Sequence, residues 1–228
     1  MSEEEISYHR SKLDQQTERV KKSFASLVYC LQDHISTTYK VKDVASYLAF
    51  YDPQFKKINL CDCKEIVELF FRLSDYFSFF NHEMIRILTH QFGSETCKKK
   101  FKKYRKKFQE YSKRCVCECP VDAFGDVGNK SSCYVIKCKE DMEKFTVKEL
   151  EKLTYNLNEV LKQNFLRLVH VDRGCIELTL KALTVSTLDL SEETQQELRN
   201  VGVLSIHYSA KYYDLQELHP HKISIPGV

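Results

Sequence analysis

The chain has 228 residues, 43% hydrophobic and 29% charged, with only 6 Gly and 4 Pro. That excludes a disordered, collagen-like or low-complexity chain and is long enough to bury a core without covalent staples. Net charge is +3, but residues 98–114 hold ten basic residues against one acid, Glu110, a local excess of nine that leaves the rest of the chain at −6.

The start Met1-Ser2-Glu3-Glu4-Glu5 is acidic and lacks the apolar run of a signal peptide, and no stretch approaches the ~18 apolar residues of a membrane span. A cytoplasmic location is therefore expected. There the ten cysteines would stay as thiols and the sequon at Asn129-Lys130-Ser131 would stay unmodified.

The front half reads as helix. Over 7–39, Leu13, Val20, Phe24, Leu27, Val28, Leu31 and Ile35 recur at helical spacing. Val44, Ala45, Leu48 and Ala49 repeat the pattern over 41–51, and Asp52-Pro53 ends it. A third helix runs through Ile66, Val67, Leu69, Phe70 and Leu73. A fourth, from about Asn81, carries Met84, Ile85, Ile87 and Leu88 to a stop at Gly93. Ser94 can cap a fifth through Phe101, Tyr104, Phe108 and Tyr111.

Beyond Arg114 the texture changes. Alternation over 115–119 predicts a strand ending at Pro120, and a polar Gly-containing loop follows to Lys130. A second strand spans 132–138, and Thr146 caps an amphipathic helix through Leu150, Leu153, Leu157, Val160 and Leu161. Residues 165–171 and 175–180 flank the turn Asp172-Arg173-Gly174 as a hairpin. Ser191 starts a helix that stops at Gly202, and 203–208 closes as a strand. From 132 on, the order strand, helix, strand, strand, helix, strand is the split βαβ, ferredoxin-like plan. The expected class is α+β: a helical domain at 1–114, a ferredoxin-like domain with an antiparallel sheet at 115–210, and a tail at 211–228.

The basic helix is the sharpest chemical feature. Lys98, Lys99, Lys100, Lys102, Lys103, Arg105, Lys106 and Lys107 surround a stripe of four rings at i, i+3, i+7 and i+10. Such a helix can grip nucleic-acid phosphates or an anionic membrane; the alternative is rings in the core and lysines on a solvated face. Tyr76, Phe77, Phe79 and Phe80 hold more aromatic surface than one helical face needs, which nominates them as a partner contact, with core packing as the alternative.

No cofactor, metal or catalytic residue is expected. Cys61-x-Cys63 and Cys115-x-Cys117-x-Cys119, with Cys133 and Cys138, lack the C-x-x-C spacing that brings two sulfurs to one zinc, and read better as small apolar side chains. His170 and Cys175 flank the hairpin turn without a strained turn or oxyanion-hole signature. Gly125-Asp126-Val127-Gly128-Asn129-Lys130-Ser131 lacks the spacer of a P-loop, and its Gly-x-x-Gly core has an acid where a KH domain wants a base. His219-Pro220-His221 lies in the short tail.

Phe77-Ser78-Phe79-Phe80-Asn81, His90-Gln91-Phe92-Gly93-Ser94 and Lys113-Arg114-Cys115-Val116-Cys117-Glu118-Cys119-Pro120 together resemble a poorly characterised invertebrate module. In it an "FFN…FG" helical pair leads into a "KRxVxExP" strand. Gly174-Cys175-Ile176-Glu177-Leu178-Thr179 and Gly202-Val203 extend the likeness. Such modules accompany death-fold, NACHT-type or repeat domains, which implies a non-enzymatic protein-interaction or adaptor role in immune or stress signalling. The alternative function is nucleic-acid or anionic-membrane binding through residues 98–114.

Overall fold

The computed structural model describes residues 3–114, 116, 133–139, 145–163, 166–172, 176–181, 190–208 and 211–216. Five helices come first: α1 (Glu3–Thr38), α2 (Val41–Tyr51), α3 (Ile66–Leu73), α4 (Glu83–Phe92) and α5 (Glu95–Tyr111). Short 3-10 turns at Pro53–Ile58, Leu60–Asp62 and Ser74–Tyr76 join α2, α3 and α4. The expected helical periods are all realised, and α1 begins four residues ahead of the expected start. At the α4–α5 corner a Cβ on Gly93 would lie 2.4 Å from the carbonyl oxygen of Thr89, so any other residue would push the last turn of α4 apart. Ser94 then accepts from the Cys97 amide as the α5 N-cap.

The second half is β1 (Cys133–Cys138), α6 (Val147–Val160), β2 (Arg167–Asp172), β3 (Glu177–Lys181), α7 (Glu192–Asn200), β4 (Val203–Tyr208) and β5 (Lys211–Asp214). The sheet order is β2-β3-β1-β4-β5 with every pair antiparallel. The first four strands have the ferredoxin-like order; β5 extends the sheet beyond β4, where the sequence reading begins a tail. Thr146 forms a full capping box with Glu149 at the start of α6. Gly202 takes φ 85° between α7 and β4, a left-handed geometry that favours glycine. The expected strand at 115–119 lies outside the described residues except for Val116, which is buried. The loop 125–131, Cys175 and the histidines at 219 and 221 also lie outside them.

On one sheet face Ile136 pairs with Leu178 and Ile206, and Tyr134 pairs with Leu180 and Tyr208. All six are buried, and the Tyr134 and Tyr208 rings stack at 4.4 Å. The buried side chains of bundle and sheet form one continuous apolar cluster from Val20 to Leu215. Polar contacts seal the junction. Asn81 donates from Nδ2 to the Leu166 carbonyl (2.8 Å) and accepts at Oδ1 from the Leu168 amide (3.1 Å), so one side chain grips the backbone at the start of β2. The amides of Val147 and Lys148 donate to the carbonyls of Arg114 and Ser112, which fastens the start of α6 to the end of α5.

Candidate anion-binding groove

α5 lies against α1 with its aromatic stripe turned inward. Tyr104, Phe108 and Tyr111 are buried and Phe101 half-buried, and the Tyr104 ring meets Phe24 of α1 at 5.2 Å. The rings are core, as the packing alternative expects. The two helices run antiparallel: Cys30 faces Cys97, Ser26 faces Lys100, and Gln16 accepts from Arg114. This register places cations of α1 beside cations of α5. Arg19, Lys22, Ser23 and Ser26 line one wall of a groove of about 410 Å³, and Lys100, Lys103 and Lys107 line the other. An adjoining hollow of about 320 Å³ shares Arg19 and Lys107 and adds Gln16, Arg114 and one acid, Glu110.

Among the described residues no carboxylate forms an ion pair with Arg19, Lys22, Lys100, Lys103 or Lys107. Lys100 instead donates to Ser26 Oγ at 2.9 Å, which leaves that hydroxyl able to donate onward. Five positive charges beside two serine hydroxyls, in no ion pair among the described residues and with Glu110 of the adjoining hollow as the one acid lining either space, favour an incoming anion. The other basic residues of the segment separate by role. Lys99, Lys102 and Lys106 are exposed away from the groove lining, and Lys98 pairs with Glu95 at 3.2 Å. Arg105 turns toward the core.

Arg105 belongs to a partly buried network whose buried members are His82 and Tyr104. Its guanidinium donates to His82 Nε2 and to Glu151 Oε1 (3.3 Å), while Tyr104 donates to the Phe79 carbonyl. With Nε2 accepting, the imidazole proton sits on Nδ1, within 3.1 Å of both the Phe80 carbonyl and the Tyr104 oxygen. Burial, with the Arg105 charge second, pushes the His82 pKa down to about 4, so the ring is neutral near pH 7. The 3.9 Å approach of His82 to Glu151 is therefore no ion pair at that pH; the Arg105 guanidinium supplies the positive charge. Burial raises the Glu151 carboxyl against Arg105, which lowers it. Beside this network, at the bundle–sheet junction, is a cleft of about 390 Å³ whose lining includes Tyr51, Asn81, Tyr155 and Asn158. Both ring nitrogens of His82 are engaged, so the cleft gains no free base from it.

The nominated partner-contact rings do not form an exposed cluster. Phe79 and Phe80 are buried, and Tyr76 and Phe77 are half-buried against the core. The cause is packing from several sides: Phe24 and Phe70 meet Phe77, Phe55 meets Tyr76, Tyr111 meets Phe79 and Phe108 meets Phe80. Large exposed apolar side chains are instead Tyr29, Phe50, Val67, Phe71, Tyr155 and Tyr212, among others. Among the described residues no group of three or more His, Cys, Asp or Glu could hold a metal, and no helix is long and apolar enough to cross a membrane. Cys61 is exposed, whereas Cys63, Cys133 and Cys138 are buried.

Sequence reasoning missed the α1 wall. Its signal is the spacing Arg19, Lys22, Ser23, Ser26, which matches Lys100, Lys103, Lys107 turn for turn. Set against known proteins, the chain matches no family model, no curated protein and no solved structure.

Proposed function

We propose that the chain binds nucleic acid through its phosphodiester backbone, seated in the groove between α1 and α5. The observation that carries this is the convergence of Arg19, Lys22, Lys100, Lys103 and Lys107 without a pairing carboxylate. The groove and its adjoining hollow follow α5 from Lys100 to Arg114, roughly 20 Å at helical rise, which suits a linear string of phosphates. Tyr29, one turn beyond Ser26 on α1 and 73% exposed, offers a ring on which a base can stack. Phosphate contacts position a strand without reading its sequence, so base preference is expected to be slight.

The test is fluorescence anisotropy of a labelled single-stranded oligonucleotide over a salt series. About four phosphate contacts should lower affinity roughly fiftyfold between 50 and 200 mM salt. Lys22→Glu with Lys103→Glu should abolish binding, whereas Lys99→Glu with Lys106→Glu, away from the groove, should keep most of it. No binding at low salt, or equal loss in both variants, overturns the groove. Binding to anionic vesicles without binding to the oligonucleotide would assign it to a lipid surface.

A second reading, the protein-docking or adaptor role, is favoured by a different observation. Phe50 at the end of α2 and Val67 and Phe71 on α3 are 89%, 56% and 79% exposed, and the last two lie one turn apart. If this face docks a protein, Phe71→Ser should abolish capture of that partner while leaving the melting temperature unchanged. Capture that survives the substitution counts against the reading.

A further inference from the structure

We propose that Cys30 and Cys97 form an oxidisable dithiol, closing to a disulfide that ties α1 to α5 at the end of the basic groove. Their Sγ atoms are 3.6 Å apart, in contact, and both are free thiols. The pair joins positions 67 residues apart in the chain. Closure needs the sulfurs to approach by about 1.5 Å, within the reach of small side-chain rotations on two packed helices.

The surroundings give the two sulfurs different parts. Cys30 is partly exposed and is the one a small oxidant can reach. Cys97 is fully buried in the first turn of α5, and its sulfur receives a hydrogen bond from Ser94 Oγ at 3.3 Å. With hydrogen peroxide, the Cys30 sulfur attacks one oxygen, the O–O bond breaks, and water leaves a sulfenic acid on Cys30. The Cys97 sulfur then attacks the Cys30 sulfur; the S–S bond forms, the S–O bond breaks, and the departing hydroxide takes the Cys97 proton as a second water. Two thiols and one peroxide thus give one disulfide and two waters. Burial, and next the contact with Cys97, hold the Cys30 thiol above its ordinary range, so its attack on peroxide quickens as pH rises.

The disulfide would fix the pairing of Ser26 with Lys100, one turn from the bridge, and so the width of the groove at that end. That consequence rests on the proposed groove; the chemistry of the pair does not.

The test treats the reduced full-length protein with hydrogen peroxide, alkylates the remaining thiols and maps the peptides by mass spectrometry. A Cys30–Cys97 cross-linked peptide, two hydrogens lighter than its parts and reversed by dithiothreitol, is the expected result. The oxidised protein should melt roughly 10 °C higher than the reduced one, a gain absent in Cys97→Ser. The Cys97→Ser variant should instead stop at a dimedone-reactive sulfenic acid on Cys30. Alkylation of both Cys30 and Cys97 after oxidation of other cysteines, or over-oxidation of Cys30 with Cys97 still free, overturns the proposal. The anisotropy series is repeated on oxidised protein: altered affinity with the cross-link present extends it to the groove. A cross-link without oligonucleotide binding in either state retires the groove alone.

Discussion

Phe108→Ala is expected to destabilise the protein by about 3–5 kcal/mol, which lowers the melting temperature by roughly 10 °C in a chain of this size. Phe108 is fully buried at the centre of the ring cluster, with Phe80, His82, Tyr104 and Tyr111 all 5.1–6.4 Å away between centroids. Its removal takes apolar area out of the core and leaves a cavity that four rings from two segments cannot close together, since each is held by other neighbours. Phe71→Ala is the matched control: the same atoms are deleted from a ring that is 79% exposed, and a change within about 0.5 kcal/mol is expected. Urea unfolding of both variants checks the pair. Similar losses would place Phe108 outside the core.

Acid should unfold the protein partly through His82. Its folded-state pKa, about 4, is below the ordinary 6.5, so the unfolded chain takes up this proton first as pH falls. The stability that follows from the neutral ring is complete above about pH 6.5 and is lost on acidification, about 3 kcal/mol of it by pH 4. Glu151 works in the opposite sense, because its raised folded-state pKa lets the folded protein bind a proton earlier than the unfolded chain does. The comparison of wild type with His82→Gln separates the two. Between pH 7 and pH 4 wild type should lose about 3 kcal/mol more than the variant in urea unfolding. Parallel losses would mean that the buried imidazole is already charged in the native state.

Local rules made much of this fold legible. Gly93-Ser94 marks a corner because one residue has no Cβ to clash and the next caps a helix; Thr146 and Glu149 reciprocate across a single turn. The ferredoxin-like order followed from the alternation of helical and strand periods after residue 132. What was hidden depends on partners distant in sequence. The run from Lys98 to Lys107 reads as one basic face, yet Arg105 turns inward because His82 and Glu151 wait for it, and Lys98 is matched by Glu95. The α1 wall of the groove needed the antiparallel register of two helices to be known. The rings at 76–80 read as surplus because their neighbours, such as Phe24 and Tyr111, come from elsewhere in the chain. β5 is only four residues long, and it gains its identity from pairing with β4.

The antiparallel pairing of α1 with α5 also shapes how the protein can be made. The contacts of α1 with α5 link residues 67 to 98 positions apart, so the first helix leaves the ribosome long before this mate. At roughly 5–20 residues per second that is a wait of about 3–20 s. During it, α3, α4 and the segment that carries Phe77 can cover only part of the apolar stripe of α1, and the side of Phe24 that meets Tyr104 stays open. Only when residues 95–114 emerge can the bundle close, and the start of α6 then latches onto the carbonyls at the end of α5. Synthesis that stops before α5 would therefore leave the part of the α1 stripe that meets Tyr104 exposed.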